Sequence, residues 1–115
     1  RDYMYVKDAV NAYKLVLKSS ENLLGKAINF GTGKEITIFK LVKTIVNLCG
    51  NDVRPVYAAQ RAGEVKRLCA DTSFAEKELD FAPKYTIEQG LKEFVNWYKE
   101  GKYDEWKAYT SDEEI

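Results

Sequence analysis

Residues 27–50 read AINFGTGKEITIFKLVKTIVNLCG, and this stretch decides the fold class of the chain. The apolar run from Ala27 to Phe30 is bounded by glycines, which predicts a buried strand that enters a tight turn at Gly31-Thr32-Gly33. A helix follows, with Thr37 as its N-cap and Gly50 at its C-terminal end. Its apolar residues recur at helical spacing and form one face: Ile38, Leu41, Val42, Ile45, Leu48 and Cys49.

Strands and helices continue to alternate outside this stretch. Three further segments are short and apolar or β-branched, and they predict strands: Tyr3–Val6, Pro55–Ala58 and Leu68–Ala70. The other helices are predicted to begin at Asp8, at Asp71 or Thr72, and at a Thr86/Gln89 capping box, and to end near Ser19, Leu79 and Gly101. Short strands alternating with about four to five helices are typical of an α/β fold.

The chain has 115 residues, which suits one domain with a substantial core. We place that domain at residues 1–109, where a last turn of helix is expected over residues 103–109. Residues 110–115 are expected to be an acidic tail exposed to solvent.

Charge and residue types exclude several classes of function. The 18 basic and 18 acidic side chains cancel, so no broad cationic face for nucleic acid is expected. No apolar run approaches the roughly 20 residues of a membrane helix. The sequence lacks His, which excludes a Ser/His/Asp triad and leaves Cys49 and Cys69 without partners for a zinc site. We expect both thiols to be buried and free in a reducing cytoplasm.

Two short motifs have the appearance of catalytic or phosphate-binding sequences. Gly31-Thr32-Gly33-Lys34 lacks the spacing of a P-loop and the hydroxyl residue after its Lys, so we interpret it as a tight turn. Three Tyr-x-x-x-Lys pairs occur, a pattern in which Lys can lower the pKa of a Tyr acid/base. Because Lys is usually solvated, we interpret these pairs as surface residues: Tyr3/Lys7, Tyr98/Lys102 and Tyr103/Lys107.

The loop Arg61-Ala62-Gly63-Glu64 carries the clearest binding chemistry. It places a guanidinium and a carboxylate on one turn between two predicted strands. Arg suits bidentate contact with a phosphate, and Glu suits sugar hydroxyls. The alternative is a solvated turn with an incidental ion pair.

Five motifs in order resemble one known family. They are RDYMYVKD at 1–8, INFGTG at 28–33, RAGE at 61–64, ADTS at 70–73 and FAP at 81–83. Together they resemble the C-terminal part of the extended short-chain dehydrogenase/reductase family, the NAD-dependent nucleotide-sugar epimerases and dehydratases. The resemblance covers Arg1 to Lys99. It implies the substrate-binding portion of an extended Rossmann-type enzyme.

The resemblance also implies roles for four residues. Arg1 and Arg61 would hold the diphosphate of a nucleotide-sugar, and Glu64 would bind its ribose. Leu68 would line the sugar pocket and favour plain hexoses. Two fixed cations on opposite walls can neutralise and orient a diphosphate.

The family's dinucleotide-binding glycine turn and its catalytic Tyr-x-x-x-Lys pair would lie before Arg1. We therefore expect a fragment whose NAD is bound by the missing N-terminal part, and which has no catalytic residues and no activity alone. The surface that would contact the missing N-terminal part should be apolar and exposed, so we expect a homo-oligomer.

The function that the resemblance implies for the full-length parent is a UDP-hexose 4-epimerase that acts through a 4-keto intermediate. A nucleotide-sugar 4,6-dehydratase is the first alternative. The second comes from another class: a non-catalytic α/β interaction module that uses the apolar face of the Ile38–Cys49 helix.

Overall fold

A computed structural model describes residues 1–19, 21–50 and 53–101 of the chain. The expected turn of helix at 103–109 and the acidic tail lie outside these residues. None of the described helices is long and apolar enough to cross a membrane. The helices are α1 (Val6–Lys18), α2 (Ile38–Cys49), α3 (Ser73–Leu79) and α4 (Ile87–Lys99), with a 3₁₀ turn at Glu21–Leu23.

The ends of α2 and α4 confirm the predicted caps. The Thr37 hydroxyl accepts a hydrogen bond from the Lys40 amide at 3.1 Å, and Gly50 ends α2 in the left-handed conformation with φ 71°. At α4, Thr86 and Gln89 exchange the two hydrogen bonds of a capping box, 2.8 and 3.2 Å long. Local side-chain chemistry is sufficient to specify such caps, because donor and acceptor lie within one turn.

The start of α1 differs from the prediction, because Tyr5 and not Asp8 occupies the N-cap position. Asp8 lies in the first turn and is only 1% exposed. Its carboxylate accepts hydrogen bonds from the amides of Lys84 at 2.9 Å and Tyr85 at 3.1 Å. A buried carboxylate is stable there because it faces the positive end of the helix dipole and two amide donors. Asp8 thereby ties α1 to the connector before α4.

At the start of α3, Thr72 takes the N-cap position, but its hydroxyl donates to Glu76 instead of capping the helix. The Asp71 carboxylate instead accepts from the Ser73 amide at 3.1 Å. Both residues predicted to begin this helix, Asp71 and Thr72, therefore form hydrogen bonds at its N-terminus.

The four expected strands are absent from the part of the chain that the structure describes. Val6, the last residue of the first one, begins α1 instead. A strand needs consecutive hydrogen bonds to a neighbour, and only isolated pairs occur here. Arg1 and Ile36 exchange two backbone hydrogen bonds of 2.9 Å, and the Asp2 amide donates to the Leu68 carbonyl at 2.9 Å. These contacts place the start of the chain between residues 36 and 68.

The core joins α1, α3 and the connector that follows α3. Phe81 is 1% exposed and meets the Phe30 ring edge-on, with the centroids 5.0 Å apart. Ala12, Ala75 and Leu79 complete this cluster. The helix α2 contributes no fully buried residue and packs against α4.

One face of α1 lies outside this core. Its apolar side chains are between 46% and 85% exposed, and they follow helical spacing: Val6, Val10, Tyr13 and Leu17. The helix therefore buries its small and acidic residues, Ala12 and Asp8, and leaves its larger apolar stripe uncovered in this chain.

Both cysteines are free thiols, as expected, but the expectation that both are buried is wrong for Cys69, which is exposed. Cys49 is half-buried at the end of α2. Cys69 lies on irregular backbone instead of in a buried strand, and its Sγ is 4.0 Å from a carboxylate oxygen of Asp2.

Candidate functional site

The glycine turn at residues 31–33 is filled by the side chain of Asp2. Its carboxylate accepts hydrogen bonds from the Thr32 amide at 2.9 Å, the Gly33 amide at 3.0 Å and the Thr32 hydroxyl. The Ala70 amide donates to the same carboxylate at 3.3 Å. The turn is therefore satisfied from within the protein, in agreement with its interpretation as a structural turn.

Close packing explains the first glycine of this turn. A Cβ at Gly31 would lie 2.6 Å from Asp2 Oδ2 and 2.7 Å from the Ala70 Cβ, so the site admits only glycine. Burial, the largest single influence, raises the pKa of Asp2, but the hydrogen bonds from Thr32, Ala70 and Gly33 together outweigh it. The pKa of Asp2 is lowered overall, and the carboxylate remains charged.

The structure brings the two predicted phosphate-binding arginines together around Glu64. Arg1 Nη2 lies 3.9 Å from Glu64 Oε1, and Arg61 Nη2 lies 3.7 Å from the same oxygen. The Arg1 backbone is fixed by its two hydrogen bonds with Ile36. The Arg61 side chain is 87% exposed and extends from the loop. Two guanidinium groups from distant segments thus form ion pairs with one carboxylate oxygen.

These residues line an open cleft of about 810 Å³, which lies within the usual size of a small-molecule site. Its walls are the loop at 60–67, the segment at 35–38, and the side chains of Arg1 and Tyr3. Leu68 is 62% exposed and lines an adjoining recess with Arg1, Arg61 and Glu64. All four predicted site residues therefore meet in one region of the surface.

Sequence reasoning missed a third ion pair in this cleft, between Arg67 and Glu35. Arg67 Nε lies 3.1 and 3.0 Å from the two carboxylate oxygens of Glu35, and its Nη2 also contacts that carboxylate. The hydrogen bond from Arg67 holds the pKa of Glu35 below its usual value. The partners are 32 positions apart. No local pattern links them, so the sequence held no signal for this pair.

The Tyr-x-x-x-Lys pairs show no catalytic arrangement in the described residues. Lys7 binds Glu93, and Glu93 also accepts a hydrogen bond of 2.8 Å from the Tyr5 hydroxyl. Glu93 thus engages Lys7, the lysine of the Tyr3/Lys7 pair, together with Tyr5, which belongs to none of the three pairs. Tyr103 and the lysines of the two C-terminal pairs lie outside the described residues.

Comparison with known proteins identifies the family. The family model described as GDP-mannose 4,6 dehydratase matches residues 1–94. UDP-glucuronate 4-epimerase from Thermodesulfobacterium geofontis is 35% identical over 101 residues, which is 87% of this chain and 30% of that protein. UDP-glucose 4-epimerase 1 from Oryza sativa subsp. japonica is 29% identical over 107 residues, which is 90% of this chain and 30% of that protein.

Solved structures agree with these relatives. UDP-glucose 4-epimerase from Thermotoga maritima, determined with UDP-glucose, is 34% identical with a TM-score of 0.81 over 88% of this chain and 32% of that one. dTDP-glucose 4,6-dehydratase from Bacillus anthracis, determined with NAD, is 33% identical with a TM-score of 0.75 over 92% of this chain and 32% of that one. This chain thus spans less than a third of the length of each relative, and its fold is that of the corresponding part of these Rossmann-type enzymes.

The matched residues include all five motifs, and they contain every side chain of the cleft described above. The chain belongs to the GDP-mannose 4,6 dehydratase family, that is, to the nucleotide-sugar epimerases and dehydratases of the extended short-chain dehydrogenase/reductases.

Proposed function

We propose that this chain is the substrate-binding portion of an NAD-dependent nucleotide-sugar 4-epimerase, with a UDP-hexose as its substrate. The observation that carries the proposal is the convergence of Arg1 and Arg61 on one oxygen of Glu64 at the wall of the cleft. The relative from Thermotoga maritima, which was determined with UDP-glucose, supports the choice of substrate class.

The two arginines suit a diphosphate. Because both guanidinium groups already lie within 3.9 Å of a single anionic oxygen, a diphosphate oxygen placed between them could accept hydrogen bonds from both. Arg1 would be the fixed cation, held through its backbone, and Arg61 would be the mobile one, since it meets Glu64 through a single ion-pair contact of 3.7 Å. Arg is well suited to this role because its planar fork binds phosphate through two hydrogen bonds.

Glu64 and Leu68 would act on either side of the diphosphate. Once a phosphate takes the arginines, the Glu64 carboxylate becomes available to accept hydrogen bonds from ribose hydroxyls. Leu68 lines the recess beside it and offers an apolar wall to a hexose. An apolar wall leaves no hydrogen-bond partner for an N-acetyl group, which favours plain hexoses.

NAD is present in solved relatives, including UDP-glucuronic acid 4-epimerase from Bacillus cereus, which is 27% identical with a TM-score of 0.79. The glycine turn of this chain does not fit the phosphates of that cofactor. A dinucleotide phosphate needs free amides at a glycine-rich turn, whereas the turn at 31–33 gives its amides to Asp2. We therefore assign NAD binding and the redox step to residues other than those described, and substrate binding to this chain.

The test replaces Arg61 by Ala in the complete gene product that contains this chain. Loss of a charge-assisted hydrogen bond to phosphate costs about 1.5–3 kcal/mol, so KM for UDP-glucose should rise about 10- to 150-fold. The value of kcat should change less than about two-fold, because the contact is far from the reacting carbon and acts on binding alone. Arg54→Ala is the matched control, since Arg54 is exposed and lies outside the cleft. An unchanged KM for Arg61→Ala would remove Arg61 from the site.

The runner-up function is a nucleotide-sugar 4,6-dehydratase, which the description of the family model and the relative from Bacillus anthracis both favour. The product of the same assay separates the two activities. Release of a 4-keto-6-deoxy sugar would identify a dehydratase and contradict the proposed epimerase. Interconversion of UDP-glucose and UDP-galactose would support the epimerase. Absence of both turnover and UDP binding would favour the non-catalytic interaction module.

A further inference from the structure

The ion pair between Arg67 and Glu35 has better geometry than the other ion pairs of the cleft. Arg67 contacts both oxygens of the Glu35 carboxylate, at 3.0 and 3.1 Å from Nε and also through Nη2. The contacts of Arg1 and Arg61 with Glu64 are longer, at 3.9 and 3.7 Å. A bidentate pair fixes the relative orientation of its partners, which a single long contact does not.

The pair joins the two segments that enclose Arg1. Glu35 directly precedes Ile36, which exchanges both backbone hydrogen bonds with Arg1. Arg67 directly precedes Leu68, whose carbonyl accepts the Asp2 amide. Residues 1–2 lie between the segment that contains Glu35 and the segment that contains Arg67. The ion pair therefore connects these two outer segments directly, next to Arg1.

The loop that carries Arg61 has little regular support of its own. It contains no helix or strand, and within it the Glu64 amide donates to the Arg61 carbonyl at 3.3 Å. Arg67 lies three residues after Glu64, so a contact that fixes Arg67 also limits the positions of Glu64 and Arg61. Such a loop is held by its anchors, because it has few buried contacts.

We infer that Arg67 is a positioning residue: through its bidentate pair with Glu35 it holds the loop at 61–64 against the segment that anchors Arg1, at the separation that a diphosphate requires. Arg67 itself does not bind the substrate. The inference rests on the proposed function, since it takes the cleft to be a nucleotide-sugar site.

The test is a double-mutant cycle in the complete gene product, with KM and kcat for UDP-glucose and the dissociation constant of UDP as readouts. Glu35→Ala and Arg67→Ala should each raise KM about five-fold and leave kcat within about two-fold. The double variant should be no worse than either single one, because each change breaks the same pair. The exchanged pair Glu35→Arg with Arg67→Glu should restore KM to within about two-fold of the parent. Arg54→Ala is again the control.

The variant at Glu35 decides between positioning and direct binding. If Arg67 bound the phosphate itself, Arg67→Ala would raise KM while Glu35→Ala would leave it unchanged or lower it, and either result overturns the inference. Hydrogen exchange provides a readout without substrate, since amides of residues 61–68 should exchange faster in both single variants. Unchanged exchange, or faster exchange with an unchanged KM, also overturns it. Failure of the proposed function is recognised separately, because Arg61→Ala would then leave UDP binding unaffected.

Discussion

Replacement of Asp2 by Asn tests the contact that organises the glycine turn. The carboxylate accepts hydrogen bonds from the amides of Thr32, Gly33 and Ala70 and from the Thr32 hydroxyl. An Asn side chain keeps one carbonyl oxygen, which can retain the contacts with Thr32. Its amide group then points a donor at the amides of Gly33 and Ala70.

The size of the effect follows from these contacts. Ala70 is half-buried, so its amide loses a charged acceptor with little replacement by water, whereas Gly33 is exposed and can be hydrated. A lost hydrogen bond to a charged group costs about 1.5–3 kcal/mol, and the donor conflict adds to it. We expect Asp2→Asn to lower the free energy of unfolding by about 2–4 kcal/mol at pH 7.

The pH dependence gives the effect a distinctive signature. The pKa of Asp2 is lowered in the folded protein from its ordinary value of 3.8. Its carboxylate therefore contributes stability that is complete above the unfolded pKa and disappears as the pH falls through the folded pKa. The difference between parent and variant should be full at pH 7 and should shrink below pH 3.8.

Urea denaturation followed by circular dichroism at a series of pH values measures both quantities. Asp80→Asn is the matched control, because Asp80 is exposed, has a positive φ of 51° that Asn tolerates, and should change stability by less than about 0.5 kcal/mol. Equal stability of parent and Asp2→Asn at pH 7 would refute this account of the turn. A difference that stays constant into the acid range would show that the lost charge is not its source.

Two further predictions concern α4 and α1. In Gly90→Ala the new Cβ would lie 2.8 Å from the Tyr5 ring. We therefore expect urea denaturation to show a free energy of unfolding lower by about 1–3 kcal/mol, although Ala has the higher helix propensity. The control is Lys92→Ala, an exposed position on the same helix, which should change stability little. Greater stability of Gly90→Ala would contradict that packing. The 115-residue chain should associate with itself through the apolar stripe of α1, and sedimentation velocity that gives a monomer at every concentration would count against it.

The helices were accessible to sequence reasoning because their signals are local. Each cap contacts residues within one turn of its own helix, so neighbouring residues in the sequence are enough to predict it. This holds for Thr37 and Gly50 at the two ends of α2 and for the Thr86/Gln89 pair at the start of α4. The predicted strands are absent from the described residues because strand formation depends on distant parts of the chain. β-Branched and apolar residues indicate a strand, but a strand forms only when a neighbour supplies consecutive hydrogen bonds.

Asp8 and Asp2 illustrate the same division. A short acidic residue before a helical pattern predicts an N-cap, yet Asp8 finds its donors 76 and 77 positions away, on the connector before α4. Asp2 was part of a recognised motif, but its role in filling the glycine turn depends on donors 30, 31 and 68 positions away. Long-range acceptors of this kind have no signature in a window of sequence.

The sequence by itself determined the positions of the four helices to within about two residues, the turn at 31–33, the charged side chains of the Arg61–Glu64 loop and, through ordered motifs, the family. The tertiary structure alone decided that Arg1 and Arg61 share an oxygen of Glu64, that Asp2 occupies the turn, and that Arg67 pairs with Glu35. The physical reason is range. Helix caps depend on atoms a few residues apart, whereas this cleft depends on charged side chains from distant segments that only the folded backbone brings within 4 Å of one another.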